Sequence, residues 1–402
     1  MLHFLRKLSN YALVNAERVL GRQRVFGRPY YVVLDPTSAC QLDCPFCGRE
    51  QRPNTRMDFA TFKGILDSIG STCVNLELYN WGEPFLNTDI LEMIRYATRR
   101  YRIHTRISSN LNVKNDALYR DLVSSGLNSL TCSIDGASQE TYERYRVKGS
   151  FQTVLDNVRL MRARRDELGA VEPKLVWQFL VFRHNEHEMD LATRMAREIG
   201  VDEIVFRRPH TPDEYRSWDS SLPRFSNWAA APACDSNAAD SGSGGGATAG
   251  QTEVAAATAV ALQEEPTAPV VQPATQPAAQ SAAQPATQPA RCATKCNWPY
   301  SAVAINATGS VSACCGVTDP ADDYGSAREK GFATVWNSED YRVARDAVRA
   351  HRVVPGSANT CARCEFKGEI NFSANLKQFL YYTLPWLRRA WIRRRGFRAK
   401  IG

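Results

Sequence analysis

The chain has 402 residues, of which 44% are hydrophobic and 23% charged, enough to bury a substantial core and to form two domains. Fifty basic side chains against forty-two acidic ones leave a formal charge of +8. The excess gathers after Pro385, at Arg388, Arg389, Arg393, Arg394, Arg395, Arg398 and Lys400, a poor match to nucleic-acid binding and a better one to an anionic surface or a solvated tail.

At the N-terminal end, residues 1–10 lack the unbroken apolar core and cleavage site of a signal peptide, and no stretch is long and apolar enough to span a bilayer. Leu5, Leu8, Ala12, Ala16 and Val19 share one helical stripe beside Arg6 and Lys7, so residues 1–28 are expected to hold an amphipathic helix. The twelve cysteines are clustered, a usage that fits metal ligands in a reducing cytoplasm and not a disulfide framework.

Strand-like runs follow at 30–35, 74–79, 103–108, 129–134, 175–181 and 203–206, with amphipathic helical runs at 59–69, 90–101, 116–125, 151–167 and 186–199. Six β-α repeats in 29–228 predict an α/β fold with a parallel sheet, curled into a partial barrel or opened as a doubly wound sheet. Chemistry in such folds gathers at the C-terminal strand ends. Four patches fall there: the cysteine loop, Trp81–Pro84, Ser108–Asn110 and Ser133–Gly136. The loop itself carries Cys40, Cys44 and Cys47, three thiols within eight residues. That spacing suits three corners of an iron–sulfur cube and equally a zinc loop with a distant fourth ligand.

Of the remaining residues along this half, Asp135 is placed to cap the helix that follows it. Trp81 and Tyr79 read as packing residues, His184 and His187 as solvent-facing, and Cys73 and Cys132 as small hydrophobes within strands.

Residues 229–291 are rich in Ala, Gln, Pro and Gly and nearly free of large apolar side chains, so they are expected to be a disordered linker. A flexible segment of about 60 residues has an end-to-end distance on the order of 40 Å, which joins two domains without constraining them. Beyond it, 302–305 and 310–314 form a predicted β-hairpin that presents Cys314 at its end. With Cys296, Cys361 and Cys364 this makes four thiols, a set that describes a zinc ribbon or a cluster site equally well. Residues 372–402 are expected to form a basic helix and tail, where Phe379–Leu387 followed by the arginines allows a peripheral membrane contact.

Taken in order, Cys40, Cys44 and Cys47, Phe46 before the last cysteine, Gly82–Pro84 and Ser133–Gly136 resemble the radical S-adenosylmethionine enzyme superfamily, over 29–208. The set Cys296, Gly309, Cys314, Cys361 and Cys364 resembles the SPASM/Twitch extension of that superfamily, here over 292–371. No cysteine follows Cys364, which matches the shorter Twitch form with a single auxiliary cluster, and leaves Cys315 as an adjacent spare.

The resemblance implies a partial (β/α)6 TIM-like barrel with a small C-terminal iron–sulfur domain. It implies that Cys40, Cys44 and Cys47 hold a 4Fe–4S cluster whose open iron chelates S-adenosylmethionine. Phe46 would lie beside the adenine. Gly82, Glu83 and Pro84 would take the methionyl ammonium, Ser133 and Asn110 the ribose, and Arg146 the methionyl carboxylate. Cys296, Cys314, Cys361 and Cys364 would hold one auxiliary 4Fe–4S cluster that accepts an electron from the substrate radical. A flavodoxin- or ferredoxin-type reductant is the implied partner. The expected activity is that of a radical S-adenosylmethionine oxidoreductase acting on a carbohydrate or another small metabolite. The alternatives are maturation of a ribosomal peptide and a non-enzymatic zinc or electron-carrier protein. Only 39 residues precede Cys40, fewer than a peptide-recognition domain in front of the barrel needs, which favours the small metabolite.

Overall fold

The computed structural model of the chain describes residues 2–228, 295–350, 356–364, 369–370 and 376–401. The expected linker at 229–291, with Cys234 in it and Cys292 beside it, lies outside the described residues. The first half alternates strands and helices. Its elements are α1 (Leu2–Val19), β1 (Tyr31–Leu34), α2 (Phe59–Ile69), β2 (Asn75–Glu77), α3 (Ile90–Tyr101), β3 (His104–Ser109) and α4 (Asp116–Ser124). They continue with β4 (Ser129–Ser133), α5 (Gln139–Tyr145), α6 (Phe151–Glu167), β5 (Lys174–Leu180), α7 (Met189–Glu198) and β6 (Glu203–Arg207).

Helices start where short polar side chains satisfy free amides: Asp58, Asn115, Ser138 and Ser150 each accept from a backbone N–H two or three residues into α2, α4, α5 and α6. Strands β1 to β6 pair in parallel, and β1, with Tyr31, Val32, Val33 and Leu34 all buried, is covered on both faces as a central parallel strand must be. The run expected as one helix over 186–199 divides into a 3₁₀ turn at Glu186–Glu188 and α7.

The second half adds β7 (Lys295–Cys296), α8 (Trp298–Ser301), β8 (Ala302–Ile305), β9 (Val311–Ser312), α9 (Ala327–Lys330), α10 (Phe332–Trp336), α11 (Glu339–Ala350) and α12 (Thr360–Arg363). It ends with β10 (Glu369–Ile370), α13 (Leu376–Thr383), α14 (Pro385–Arg393) and β11 (Arg398–Ile401). The predicted hairpin is present as β8 and β9, and β8 also pairs in parallel with β1. At the opposite edge β11 pairs in parallel with β6. Among the described residues the sheet has nine strands in the order β11-β6-β5-β4-β3-β2-β1-β8-β9, open between its two edges. The segment expected as a detached domain at 292–371 therefore continues the barrel sheet through β8. The tail expected at 372–402 contributes a strand, held where Lys400 Nζ donates to Glu203 at 2.7 Å.

Helix α1 turns the opposite way to its predicted stripe. Lys7, Asn10, Val14 and Glu17 are buried, while Leu5 and Val19 are exposed. The polar residues win because each satisfies distant backbone. Lys7 donates to the Arg102 carbonyl at 2.8 Å, Asn10 brackets Arg28 with two bonds, and Glu17 accepts from the Phe26 and Gly27 amides.

Candidate functional site

The cysteine loop leaves β1 and returns to it as a closed excursion. Ser38 N donates to the Thr55 carbonyl at 2.9 Å and Met57 N to that of Pro36 at 3.0 Å, so the stem is fixed while Cys40, Cys44 and Cys47 sit on the turn. Glu83 N donates to the Ala39 carbonyl at 2.8 Å, which pins the Gly82–Pro84 turn against the residue before Cys40. Gly82 is required there: a Cβ would stand 1.9 Å from the Thr37 carbonyl oxygen.

The three thiols, Glu83, Ser133 and Arg146 share the wall of one cavity of about 140 Å³, at the C-terminal strand ends. Asn110 also lines it, donating to Cys40 Sγ at 3.5 Å and accepting from Gln41 at 3.0 Å. Ser133 Oγ lies 3.1 Å from Ser108 Oγ. The Glu83 carboxylate is taken up by the chain itself, accepting from Phe85 N (3.1 Å), Ser109 Oγ (2.7 Å) and Asn110 N (2.8 Å). Burial pushes its carboxyl up to about 7 against those three donors.

Phe46 and Pro84 are not part of the cavity wall. Phe46 is held among Tyr145, Phe182, Tyr215 and Trp218, with ring centroids 4.9–6.0 Å away. Pro84 is buried at the first position of a 3₁₀ turn, where its missing N–H costs nothing.

Asp135 is not a helix cap. Ser138 caps α5, and the fully buried Asp135 accepts from Arg146 Nε at 2.7 Å and from the Leu180 amide at 2.7 Å. Held this way, the Arg146 guanidinium reaches to 3.8 Å from Cys44 Sγ. Position within Ser133–Gly136 was the available signal for Asp135; its partner 11 residues on was not visible in any pattern. His184 is likewise not solvent-facing. It stacks on Phe182 at 5.3 Å and meets Trp218 at 5.1 Å, and burial lowers its pKa to about 4. Cys73 and Cys132 are fully buried within the core, as expected.

The second thiol set forms where the sheet is extended. Cys361 has Cys314, Cys296 and Cys364 as electrostatic neighbours. Cys315 is not among these neighbours of Cys361; burial raises its own thiol, with Cys314 and then Glu77 adding to the rise. Tyr79 lines the first cavity and donates to Glu77 at 2.8 Å, while Arg106 holds the same carboxylate at 2.7 Å. Two links fasten the halves. A Cβ on Gly48 would press on Thr318 at 2.7 Å, and Arg52, five residues after Cys47, forms a buried pair with Asp323.

Burial raises the thiols of Cys40, to about 11, and of Cys44, where Arg146 opposes the rise, so ligand binding here must displace protons. Among the described residues, no three His, Cys, Asp or Glu side chains converge on a point that would hold a single ion. Soft sulfur donors in both places suit iron–sulfur clusters.

The arrangement is a thiol-lined cavity at the mouth of an open β/α barrel, with a second thiol set gathered near Cys314, just after the β8–β9 hairpin. The family model of the Radical SAM superfamily matches residues 34–203, and that of an iron–sulfur cluster-binding domain, SPASM, matches 296–365. The chain belongs to the radical SAM superfamily and carries a SPASM domain. The two matches point to iron–sulfur clusters and S-adenosylmethionine as the groups that the two thiol sets serve.

Among similar proteins, the AdoMet-dependent heme synthase of Methanosarcina barkeri is 25% identical over 177 residues, covering 43% of this chain and 48% of that protein. The PqqA peptide cyclase of Gluconobacter oxydans is 24% identical over 194 residues, covering 47% and 51%. The chain thus spans about half the length of the curated relatives it matches. The solved structure of Streptococcus suis SuiB bound to S-adenosylmethionine aligns with a TM-score of 0.52 at 14% identity, over 84% of this chain and 71% of that one, a likeness of fold. No helix among the described residues is long and apolar enough to cross a membrane.

Proposed function

We propose that the chain is a two-electron oxidase that removes a hydrogen atom from its substrate at the barrel mouth and passes the remaining electron to a single auxiliary cluster. The observation that carries this reading is the fastening of the two sulfur-bearing segments to each other: Arg52, five residues after Cys47, pairs with Asp323 and donates to the Val317 carbonyl, three residues after Cys314.

With its clusters and S-adenosylmethionine bound, the site supplies reductive sulfonium cleavage, hydrogen-atom abstraction and a return path for one electron. Cys40, Cys44 and Cys47 would hold the first cluster, and Cys296, Cys314, Cys361 and Cys364 the second. The chain's other residues position and shield. Arg146, oriented by Asp135, offers a guanidinium to a carboxylate. Gly82 offers its backbone carbonyl to an ammonium, since the Glu83 carboxylate is already engaged and the Glu83 carbonyl accepts from Leu86 N at 3.0 Å. Ser133 and Asn110 face the same space with hydroxyl and amide groups suited to a ribose. Phe46 would act from behind the cavity wall, as one ring of the packed cluster that supports Arg146 through Tyr145.

For the substrate, the reading favoured by the relatives is a side chain of a ribosomal peptide, because a PqqA peptide cyclase is among them and the fold is that of SuiB. The carbohydrate or small-metabolite reading keeps one structural support, the modest polar cavity with Tyr79 on its wall and the Glu77–Arg106 pair behind it. A test offers the anaerobically reconstituted chain a short peptide encoded beside it. Loss of two hydrogens from the peptide by mass, with deoxyadenosine formed in step, supports the assignment. The Cys361→Ala variant should still release deoxyadenosine but yield no oxidised peptide; oxidised product from that variant would remove the auxiliary cluster's role.

A further inference from the structure

A second cavity, of about 420 Å³, lies at the N-terminal ends of β3, β4 and β5, the rim opposite the thiol site. Its wall carries Arg99, Arg102, Arg388, Arg389 and Arg393 against one carboxylate, Glu172. Arg388 and Arg389 share that carboxylate, at 2.5 and 3.1 Å, whereas Arg99, Arg102 and Arg393 have no ion pair among the described residues. His104 also lines the cavity. Its Nδ1 is bonded to Asn75 Oδ1 at 2.7 Å, and its buried Nε2 has no partner. Five arginines on the wall of one open space, with a single carboxylate shared by two of them and no ion pair for the other three among the described residues, fit a phosphate-bearing ligand.

The surface around this cavity is apolar in an unusual way. Because α1 buries its polar face, Leu2 (63% exposed) and Leu5 point outward, on the helix whose Lys7 donates to the carbonyl of Arg102 in the cavity wall. Trp386 (68% exposed) follows Pro385, itself part of the cavity wall, on α14. Helix α13 joins these pieces, since its Phe379 packs on Phe4 and Tyr11 of α1 at 6.2 and 4.9 Å. Exposed Leu and Trp around a ring of arginines is the composition of a surface that enters the lipid headgroup layer.

We propose that this rim is a docking surface for an anionic phospholipid membrane, with a lipid phosphate seated among Arg99, Arg102 and Arg393 and with Leu2, Leu5 and Trp386 entering the headgroup region. The barrel would then face the membrane with its N-terminal strand ends and keep the thiol site towards solvent, open to a reductant and a water-soluble substrate.

The test is flotation of the full reconstituted chain with vesicles of phosphatidylcholine alone and of phosphatidylcholine mixed with phosphatidylglycerol. The expected result is binding to the phosphatidylglycerol vesicles, weakened by salt, and none to phosphatidylcholine. Arg99→Glu combined with Arg393→Glu should weaken binding about tenfold or more, Trp386→Ser should weaken it further, and Arg393→Lys should keep it. All variants should still release deoxyadenosine, which shows that they fold. Equal binding to both vesicle types, or none to either, overturns the proposal. So does saturable binding of glycerol 3-phosphate without vesicle binding, which would make the cavity a site for a soluble phosphate.

Discussion

Arg52 forks onto Asp323, with Nη1 2.9 Å from Oδ2 and Nη2 3.1 Å from Oδ1, and its Nη2 also donates to the Val317 carbonyl at 2.8 Å. Both side chains are almost fully buried. This pair holds the loop after Cys47 to the turn after Cys314 and Cys315, so the spacing of the two sulfur sets depends on it. Removing one partner leaves a buried charge without compensation. Arg52→Ala is expected to cost about 3 kcal/mol. It should also uncouple the reaction, so that deoxyadenosine forms with less oxidised product; thermal unfolding and the ratio of the two products check both effects.

Asp135 and Arg146 make a second, smaller unit. Burial raises the Asp135 carboxyl while Arg146 holds it down, and the carboxylate fixes the direction of the guanidinium. Asp135→Asn keeps the shape but loses the charge, and it should weaken S-adenosylmethionine binding about tenfold. Arg146→Lys, which cannot bond Asp135 and reach the cavity together, should weaken it at least as much. Equilibrium binding measured without reductant separates this effect from turnover.

The two neighbouring cysteines have different expected fates. Cys314, Cys296 and Cys364 are the thiols that act on Cys361, and Cys315 is not among them. Cys314→Ala should halve the iron retained after reconstitution, to about four irons per chain, whereas Cys315→Ala should leave about eight. Iron and sulfide counting distinguishes them.

His184 ties stability to pH. Its folded pKa, about 4, lies below the unfolded value of 6.5, because burial, Arg144 and His187 disfavour the charged ring. The folded state therefore binds fewer protons between those values. The resulting stability is fully present above 6.5, is lost as pH falls towards 4, and comes from the ring cluster behind Phe46. His184→Phe should flatten the change in melting temperature between about pH 7.5 and 5.5 relative to the natural chain.

Much of the barrel is legible because its signals are local. Hydrophobic period places α2, α3 and α6 at their observed bounds, and the cysteine, Gly82–Pro84 and Ser133–Gly136 motifs arrive at the ends of β1, β2 and β4. What escapes is decided by distant partners. Strand β8 joins β1 across some 270 residues of chain, and β11, a run of Arg398, Ala399, Lys400 and Ile401, is a strand only because Glu203 and β6 receive it. The inverted face of α1 follows from carbonyls and amides at 26–28 and 102 that no helical period reveals. In the site, the thiols are readable one by one; the Arg52–Asp323 and Arg146–Asp135 pairs that hold them in register are tertiary.

The central claim is tested most directly by giving the anaerobically reconstituted chain dithionite and S-adenosylmethionine and measuring deoxyadenosine. The account predicts release by the natural chain and none by Cys44→Ala, whose cluster loop has lost a ligand. Release that continues undiminished in Cys44→Ala, or its absence from a natural chain loaded with about eight irons, would contradict it.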